Sequence, residues 1–333
     1  MKVFLTGGSG FVGLNLAALL LSRGDDVALF SATPPLAGAM EELSKLPGRL
    51  TAELGDVTDS EALRGALVRS GAKHVVHIAA VTAGVDRDAR EPRRVVEVNV
   101  LGTLHVLEAA RHVDAQRFVL ASTGAVFGSE SFPPDLVTED HLPSPVTMYD
   151  ISKYAAERSV LHLGQLWDLD VVAGRLPMVF GSWEYRTGLR DNMSALWQLS
   201  RLARQGGEPV VPELGVQDWM YAPDAARALS LLLDVPVLQH RLYHLGIEAP
   251  WGLIDWAQRL AARFPEFRFR TTRRDDECTV AARGTLGRTA FNTKRLRDDF
   301  GFHADFDLDS SFEHYMNWLD EHPAVWNDTG GQR

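Results

Sequence analysis

A tyrosine and a lysine stand four residues apart in a segment with helical periodicity. Tyr149 and Lys153 would lie on one face of a helix over 149–166, within reach of each other. A phenol with an ordinary pKa of about 10 is a poor base at neutral pH, but a neighbouring ammonium favours its phenolate form. Tyr149 is therefore a candidate for exchanging a proton with a substrate hydroxyl, although such pairs also occur on solvated helix faces.

Two hydroxyl side chains follow a short apolar run upstream of this pair. Ser122 and Thr123 come directly after residues 117–121, which have the composition of a buried strand. The carboxyl ends of parallel strands are where open α/β sheets bind their ligands. We expect one of the two hydroxyls to orient the reacting oxygen of a substrate.

A glycine-rich turn near the N-terminus is the third chemical feature. Gly7, Gly10 and Gly13 stand between an apolar strand-like run and a longer helix-like run. Such a turn binds a dinucleotide pyrophosphate on the free amides of the helix N-terminus, here with Phe11 and Val12. Gly7 would permit the tight turn, Gly10 the close approach of phosphate, and Gly13 the packing of helix on strand.

The residue after the second predicted strand bears on the choice of dinucleotide. An Asp or Glu there would bind the ribose of NAD and repel the 2′-phosphate of NADP, but this sequence has Ser31. Ser31 and Thr33 are able to donate hydrogen bonds, whereas the nearest downstream bases, Lys45 and Arg49, are distant in sequence. The expected cofactor is therefore NAD or NADP.

Apolar runs of strand and helix character alternate along the first half of the chain. Predicted strands cover 2–5, 27–30, 50–54, 75–78, 118–121 and 171–176, and predicted helices cover 11–21, 61–69, 95–111 and 149–166. This alternation predicts an α/β fold, a Rossmann-type doubly wound parallel sheet covered on both faces. Beyond residue 176 the alternation is irregular, with predicted helices at 193–204, 221–233 and 253–264 and a strand at 242–245.

The loss of regularity suggests how the chain divides into domains. We expect an NAD(P)-binding Rossmann domain over 1–176, to which residues from about 215–247 return. A smaller C-terminal substrate-binding lobe would comprise 177–214 and 248–333, ending in a frayed polar tail.

Composition restricts the kind of partner. The 333 residues carry 34 basic and 44 acidic side chains, a net charge of −10, which disfavours binding to nucleic acid or to an anionic membrane. The single cysteine, Cys278, cannot form an internal disulfide, so we expect a cytoplasmic protein that acts on small molecules. His74 and His77, three apart on a predicted strand, would face opposite sides, and we predict no metal site.

Seven segments, in order, resemble the extended short-chain dehydrogenase/reductases, and in particular their NAD-dependent epimerase/dehydratase group. They are residues 6–13, 55–59, 77–80, 99–103, 122–128, 149–153 and 175–181, with a weaker eighth at 217–224. The resemblance implies hydride transfer at a secondary alcohol, with Tyr149 and Lys153 as catalytic residues. It selects Thr123 as the catalytic hydroxyl, because Thr123 stands four residues before Phe127.

The same resemblance implies further contacts with the ligands. The implied cofactor contacts are Asp56 and Val57 at the adenine, Ala79, Ala80 and Asn99 along the cofactor path, and Pro177 near the nicotinamide. Thr82 is an implied substrate contact. A homodimer through the two long central helices is also implied.

Departures from the family pattern narrow the reaction. Gly124 and Ala125 follow Thr123 where sugar-nucleotide dehydratases carry an acid, which disfavours dehydration. Met178 and Gln217 replace an Asn and an Arg that serve the substrate diphosphate in many members, which weakens the case for a nucleotide sugar.

The expected substrate loop offers its own candidate ligands. Arg186 and Arg190 would bind a carboxylate or phosphate, and Trp183 would stack on a sugar, although solvated loop arginines are an equal alternative. We expect an epimerase acting on a sugar or sugar derivative, only slightly ahead of a dehydrogenase/reductase of a small secondary alcohol. A dinucleotide-sensing protein without turnover is the remaining alternative.

Overall fold

The computed structural model describes residues 1–128, 136–191, 193–213, 215–281 and 290–323, so the predicted tail lies outside the described residues. Its strands are β1 (Lys2–Thr6), β2 (Asp26–Ser31), β3 (Leu50–Leu54), β4 (His74–His77), β5 (Arg117–Thr123), β6 (Val171–Leu176), β7 (Met178–Phe180), β8 (Val210–Pro212), β9 (Trp219–Tyr221), β10 (Leu242–His244) and β11 (Arg270–Thr272).

The helices connect these strands. They are α1 (Phe11–Ser22), α2 (Ala37–Leu43), α3 (Ser60–Ser70), α4 (Val85–Arg90), α5 (Pro92–Val96), α6 (Gly102–His112), α7 (Met148–Leu166), α8 (Ala195–Arg204), α9 (Ala222–Asp234), α10 (Leu253–Arg263), α11 (Lys294–Phe300) and α12 (Leu308–Glu321). In the described ranges, none of them is long and apolar enough to span a membrane.

Seven strands form one parallel sheet in the order β10-β6-β5-β4-β1-β2-β3. From β1 the chain first builds outward through β2 and β3, and then crosses back to place β4 on the other side of β1. The connections that follow β1 and β4 therefore run over opposite faces of the sheet. Their divergence opens a crevice at the carboxyl ends of these two strands. The predicted doubly wound α/β fold is confirmed.

Burial explains why the central strands read as continuous apolar runs. All residues of β6 are buried, and so are the first six of β5, as expected where helices cover both faces of a parallel sheet. Helix α1 is apolar on nearly all sides because it packs between the sheet and α9.

The single helix predicted over 95–111 is interrupted. Helix α5 passes into a π-helical turn, Glu97–Leu101, before α6 begins. The turn places the Asn99 amide where it donates to the Val81 carbonyl and to Ser152 Oγ, both at 3.0 Å. Because the apolar pattern continues through the turn, periodicity could not reveal it.

The predicted helix at 221–233 also begins one residue later. Tyr221 is the last residue of β9, where it pairs with Phe180 of β7, and α9 begins at Ala222. Rings from several elements pack around Phe180 in this smaller lobe, with centroids 5.3 to 6.5 Å away: Trp219, Tyr221, Trp251, Trp256 and Tyr315. The predicted domain limits themselves stay a prediction.

Candidate functional site

One cleft opens along the carboxyl edge of the large sheet, at the switch point between β1 and β4. It gathers most of the residues that the sequence singled out: Gly7, Gly10, Phe11, Val12, Ser31, Asp56, Val57, Ala79, Ala80, Thr82, Thr123, Tyr149, Lys153, Pro177 and Arg190. These residues lie at or just beyond the carboxyl ends of six strands, β1 to β6, and at the starts of α1 and α7. Only the sheet topology brings them together.

The glycine-rich turn at one end of the cleft leaves no room for side chains at two positions. Gly7 has φ +69°, and a Cβ there would lie 2.6 Å from the Ala79 nitrogen. A Cβ on Gly13 would lie 2.7 Å from the Gly7 carbonyl oxygen, so Gly13 packs α1 against the turn and lies below the cleft. Gly10 lines the cleft itself.

The N-terminus of α1 has the properties of an anion site. Within the described residues, no side chain caps this helix end, and its first turn holds no acidic residue. The first-turn amides therefore point their N–H groups and the positive end of the helix dipole at the cleft. This arrangement fits the pyrophosphate of a dinucleotide.

The strand ends beside the turn form the opposite wall. The backbone N–H of Ser9 donates to Ser31 Oγ at 3.0 Å, and the hydroxyls of Ser9 and Thr33 lie 3.3 Å apart. Ser31 is the last residue of β2, one position inside the strand that was predicted to end at Phe30, and no acid takes its place. This wall thus presents hydroxyls where an NAD-specific site would present a carboxylate.

Asp56 and Arg94 form an ion pair that lines the cleft beyond β3. Burial opposes ionisation of Asp56, but hydrogen bonds from Thr58 and Arg94 outweigh it and hold the pKa of this carboxyl below its ordinary value. Arg94 was missed from the sequence, because α5, which carries it, was not recognised as part of the cleft.

The candidate catalytic pair, Tyr149 and Lys153, lies at the start of α7. Thr147 caps this helix in a capping box with Asp150, which fixes Tyr149 in the first turn. Lys153, one turn on, is 3% exposed and donates from Nζ to the Ala121 carbonyl at 2.8 Å. Burial lowers the pKa of Lys153 to about 8, partly opposed by the negative charge of Glu157.

The two hydroxyls at the carboxyl end of β5 have different partners. Ser122 donates to Glu157 Oε2 at 2.7 Å and is buried. Thr123 is half-buried, and its oxygen accepts from the Ala125 amide at 3.1 Å. The Ser122 proton is therefore committed to a carboxylate, whereas the Thr123 hydroxyl retains its own proton to donate into the cleft.

A buried ion pair that the sequence did not reveal lies behind the candidate catalytic residues. Glu157 is bonded to Arg175 twice, at 2.7 and 2.9 Å, and both side chains are almost fully buried. Arg175 also lies 3.5 Å from the His244 ring.

His77, at the end of β4, bridges the hydroxyls of Thr6 and Thr103, and burial lowers the pKa of this imidazole to about 3.

Several expected ligand contacts lie outside the cleft. Trp183 is 5% exposed and packs its ring against Trp318 and His322, so the expected sugar-stacking role is wrong. Arg186 is exposed, lies over the Trp197 ring and is not among the residues that line the cleft, so its role as a substrate ligand stays a prediction.

One further expectation needs adjustment. Asn99 lies beneath the cofactor path, where its carboxamide holds the backbone of Val81 instead of lining the cleft. Among the described residues, no three His, Cys, Asp or Glu side chains gather in a way that would hold a metal ion.

Comparisons with known proteins place the chain in a family. The profile described as "NAD dependent epimerase/dehydratase family" matches residues 3–246. Curated relatives include UDP-glucuronate 4-epimerase 4 of Arabidopsis thaliana, 24% identical over 96% of this chain and 75% of that protein. Another is dTDP-glucose 4,6-dehydratase of Neisseria gonorrhoeae, 28% identical over 74% of this chain and 72% of that protein.

Solved structures give the same picture of the fold. The UDP-glucose 4-epimerase of Thermotoga maritima, solved with UDP-glucose, has a TM-score of 0.80 at 19% identity and covers 97% of this chain and 100% of its own. The family match spans the glycine-rich turn, the hydroxyl after β5 and the Tyr149 and Lys153 pair. The chain therefore belongs to the NAD-dependent epimerase/dehydratase family of extended short-chain dehydrogenase/reductases.

Proposed function

We propose that the protein binds NAD or NADP in the cleft and epimerises a hydroxyl-bearing carbon of a sugar or sugar derivative. The supporting observation is that Thr123, Tyr149 and Lys153 line the same cleft as the turn formed by Gly7 and Gly10. The turn holds the pyrophosphate, and the three catalytic residues lie at the ends of β5 and α7, where the nicotinamide would meet the substrate.

Each catalytic residue has one task in this proposal. Bound NAD(P) supplies a hydride acceptor that later returns the hydride. Tyr149, as phenolate, takes the proton of the substrate hydroxyl while the hydride leaves the same carbon, and gives that proton back when the hydride returns to the opposite face. Lys153 favours the phenolate by its charge, and Thr123 donates a hydrogen bond to the reacting oxygen.

Nucleotide sugars are the first substrate class to test. The relatives and the compared structure are named for UDP and dTDP sugars. Against this, Gln217 is 1% exposed and lies outside the cleft, and neither polar atom of its carboxamide has a hydrogen-bond partner within the described ranges. A sugar or sugar acid without a diphosphate is therefore the second class.

A dehydrogenase/reductase is the second candidate function. The burial of Gln217 outside the cleft favours this function. A substrate without a diphosphate tether would leave after one oxidation or reduction, because nothing would hold its ketone intermediate while it rotates to present the opposite face. A sensing protein without turnover would not need the buried ammonium of Lys153, which is costly to maintain.

We propose that the protein is a cytoplasmic homodimer, with α6 and α7 at the interface. Leu101, which immediately precedes α6, and Ile151 of α7 expose 46% and 44% of their surface. The single cysteine suits a reducing compartment. Sedimentation of the wild type and of the L101E/I151E double variant tests the interface, and a monomeric wild type would contradict it.

Calorimetric titration with NAD⁺ and NADP⁺, followed by a thermal-shift screen of sugars on the loaded protein, tests the proposal. We expect both dinucleotides to bind and one sugar class to raise the melting temperature further. A protein that binds neither dinucleotide would contradict the proposed function.

A further inference from the structure

We propose that Arg190 retains the cofactor: its guanidinium binds the dinucleotide pyrophosphate from a loop that covers the glycine-rich turn. This inference rests on the proposed function, because it requires a dinucleotide in the cleft. The sequence led us to expect Arg190 to bind the substrate, whereas this inference assigns it to the cofactor.

Arg190 lies over the side chain of the first residue of α1. Its guanidinium carbon is 5.1 Å from the centroid of the Phe11 ring, and Phe11 is the first residue of that helix. Both residues line the cleft together with Gly10 and Val12. A phosphate bound by the amides of the turn would therefore meet a cation from its other side.

The neighbours of Arg190 leave part of its guanidinium available. Nη1 is 3.0 Å from Glu184 Oε1, an ion pair, but it is buried and makes no hydrogen bond to any described residue. The Glu184 carboxylate already accepts two bonds from Ser194, each of 2.7 Å. Glu184 thus orients Arg190. A guanidinium has five N–H donors, more than this one carboxylate can accept, so donors remain for a phosphate.

The loop that carries Arg190, residues 182–191 and here called the covering loop, is fastened to the cofactor turn. The side-chain amide of Asn15, in α1, donates from Nδ2 to the Ser182 carbonyl at 2.8 Å. The Tyr185 hydroxyl donates to the Ser9 carbonyl at 2.7 Å, across 176 positions of sequence. One end of the covering loop is therefore held against the turn where the pyrophosphate would bind.

The far end of the covering loop is fastened across the cleft. The Thr82 amide donates to the Leu189 carbonyl at 2.9 Å, and the Asp191 amide donates to the Thr82 carbonyl at 3.2 Å. The Asp191 carboxylate accepts from the Gly84 amide at 2.7 Å and from Arg87 Nε at 2.8 Å. The loop thus joins the segment after β1 to the segment after β4, with Arg190 between them.

Such a device suits an enzyme that regenerates its own cofactor. A dinucleotide held by the turn on one side and by Arg190 on the other would leave slowly, because release requires the loss of charge-assisted hydrogen bonds and the opening of the loop. If Arg190 bound the substrate instead, its replacement would leave cofactor affinity unchanged. Cofactor affinity therefore distinguishes the two roles.

The test compares R190M and R190K with R186M, a control on the same loop whose arginine is exposed and outside the cleft. Calorimetry without substrate gives the affinity for NAD⁺ and for ADP-ribose, which keeps the pyrophosphate but lacks the nicotinamide. Circular dichroism and thermal unfolding confirm that each variant folds. The dinucleotide that co-purifies with each protein is released with acid and quantified.

We expect R190M to lose roughly tenfold to a hundredfold in affinity for both NAD⁺ and ADP-ribose, R190K to recover part of it, and R186M to match the wild type. R190M should also co-purify with less dinucleotide. Wild-type affinity of folded R190M for both ligands would overturn the inference while leaving the proposed function intact. Failure of the wild type to bind either NAD⁺ or NADP⁺ would instead overturn the proposed function.

Discussion

The ammonium nitrogen of Lys153 donates a hydrogen bond of 2.8 Å to the carbonyl oxygen of Ala121. This bond ties α7, which carries Tyr149, to β5, which carries Thr123, and so fixes the two elements of the proposed catalytic site relative to each other. It also holds a charge in a site that is 3% exposed. Burial lowers the pKa of Lys153 from 10.5 to about 8, so the group stays mostly charged at neutral pH at a cost in stability.

That cost predicts a stable but inactive variant. The folded-state pKa of Lys153 lies below its ordinary value, so between about pH 8 and 10.5 the unfolded chain binds more protons and the wild type gains stability as pH rises. We expect K153M to lose turnover yet to exceed the wild type in unfolding free energy at pH 7, by on the order of 1–3 kcal/mol.

Urea unfolding at pH 7 and at pH 9.5 measures this difference. The stability gap between K153M and the wild type should shrink at the higher pH, because the wild-type lysine is then neutral in the folded state. A variant less stable than the wild type at pH 7 would mean that the Ala121 hydrogen bond outweighs the burial cost.

Replacing the catalytic phenol should separate turnover from cofactor binding. Y149F keeps the aromatic ring in the first turn of α7 and leaves the glycine-rich turn untouched. We expect at least about a hundredfold loss in kcat, since the proton-transfer group is gone, with NAD⁺ affinity largely unchanged. Steady-state kinetics and calorimetry check the two halves, and undiminished turnover would exclude Tyr149 as the base.

The two adjacent hydroxyls at the carboxyl end of β5 provide a matched pair of variants. T123V keeps the shape of the side chain but removes the hydroxyl, so kcat should fall by about tenfold or more. S122A removes a bond to Glu157 that is buried behind the site, so it should cost about 1 kcal/mol of stability and little turnover. Kinetics and unfolding of both variants test this, and the reverse pattern would assign catalysis to Ser122.

Cofactor preference should follow the residue at the end of β2. Ser31 accepts a bond from the Ser9 amide and gives the wall of the cleft no negative charge, so the native protein should bind both dinucleotides with at most a modest preference for NADP. In S31D the new carboxylate would repel a 2′-phosphate and shift preference toward NAD. Parallel titrations check this. Strong rejection of NADP by the native protein would show that Ser31 does not face the ribose.

Short-range pattern was sufficient for the features that depend on neighbouring residues. The spacing of Gly7, Gly10 and Gly13 predicts a turn, and the four-residue spacing of Tyr149 and Lys153 predicts a shared helix face. The structure has the turn between β1 and α1, and Gly7 and Gly10 line the same cleft as Tyr149 and Lys153.

Features that depend on distant partners could not be read in this way. Trp183 has the type of side chain that stacks on sugars, but its surroundings are set by Trp318, 135 positions later in the chain. The centroids of the two rings lie 5.0 Å apart. Arg175 looked like part of a strand motif, and only the sheet places it against Glu157 of α7. A sequence gives residue types, whereas the packing of α12 and α7 decides which faces remain open.

The most direct test of the central claim follows the reduced cofactor while nucleotide sugars, sugar acids and free sugars are added to the loaded enzyme. Absorbance of the reduced nicotinamide reports net cofactor conversion, and NMR or chromatography of the mixture reports stereoisomers. The epimerase proposal predicts that one substrate is converted to its stereoisomer without net consumption of cofactor. Continuing, stoichiometric conversion of cofactor with any member of the panel would contradict it and identify a dehydrogenase/reductase.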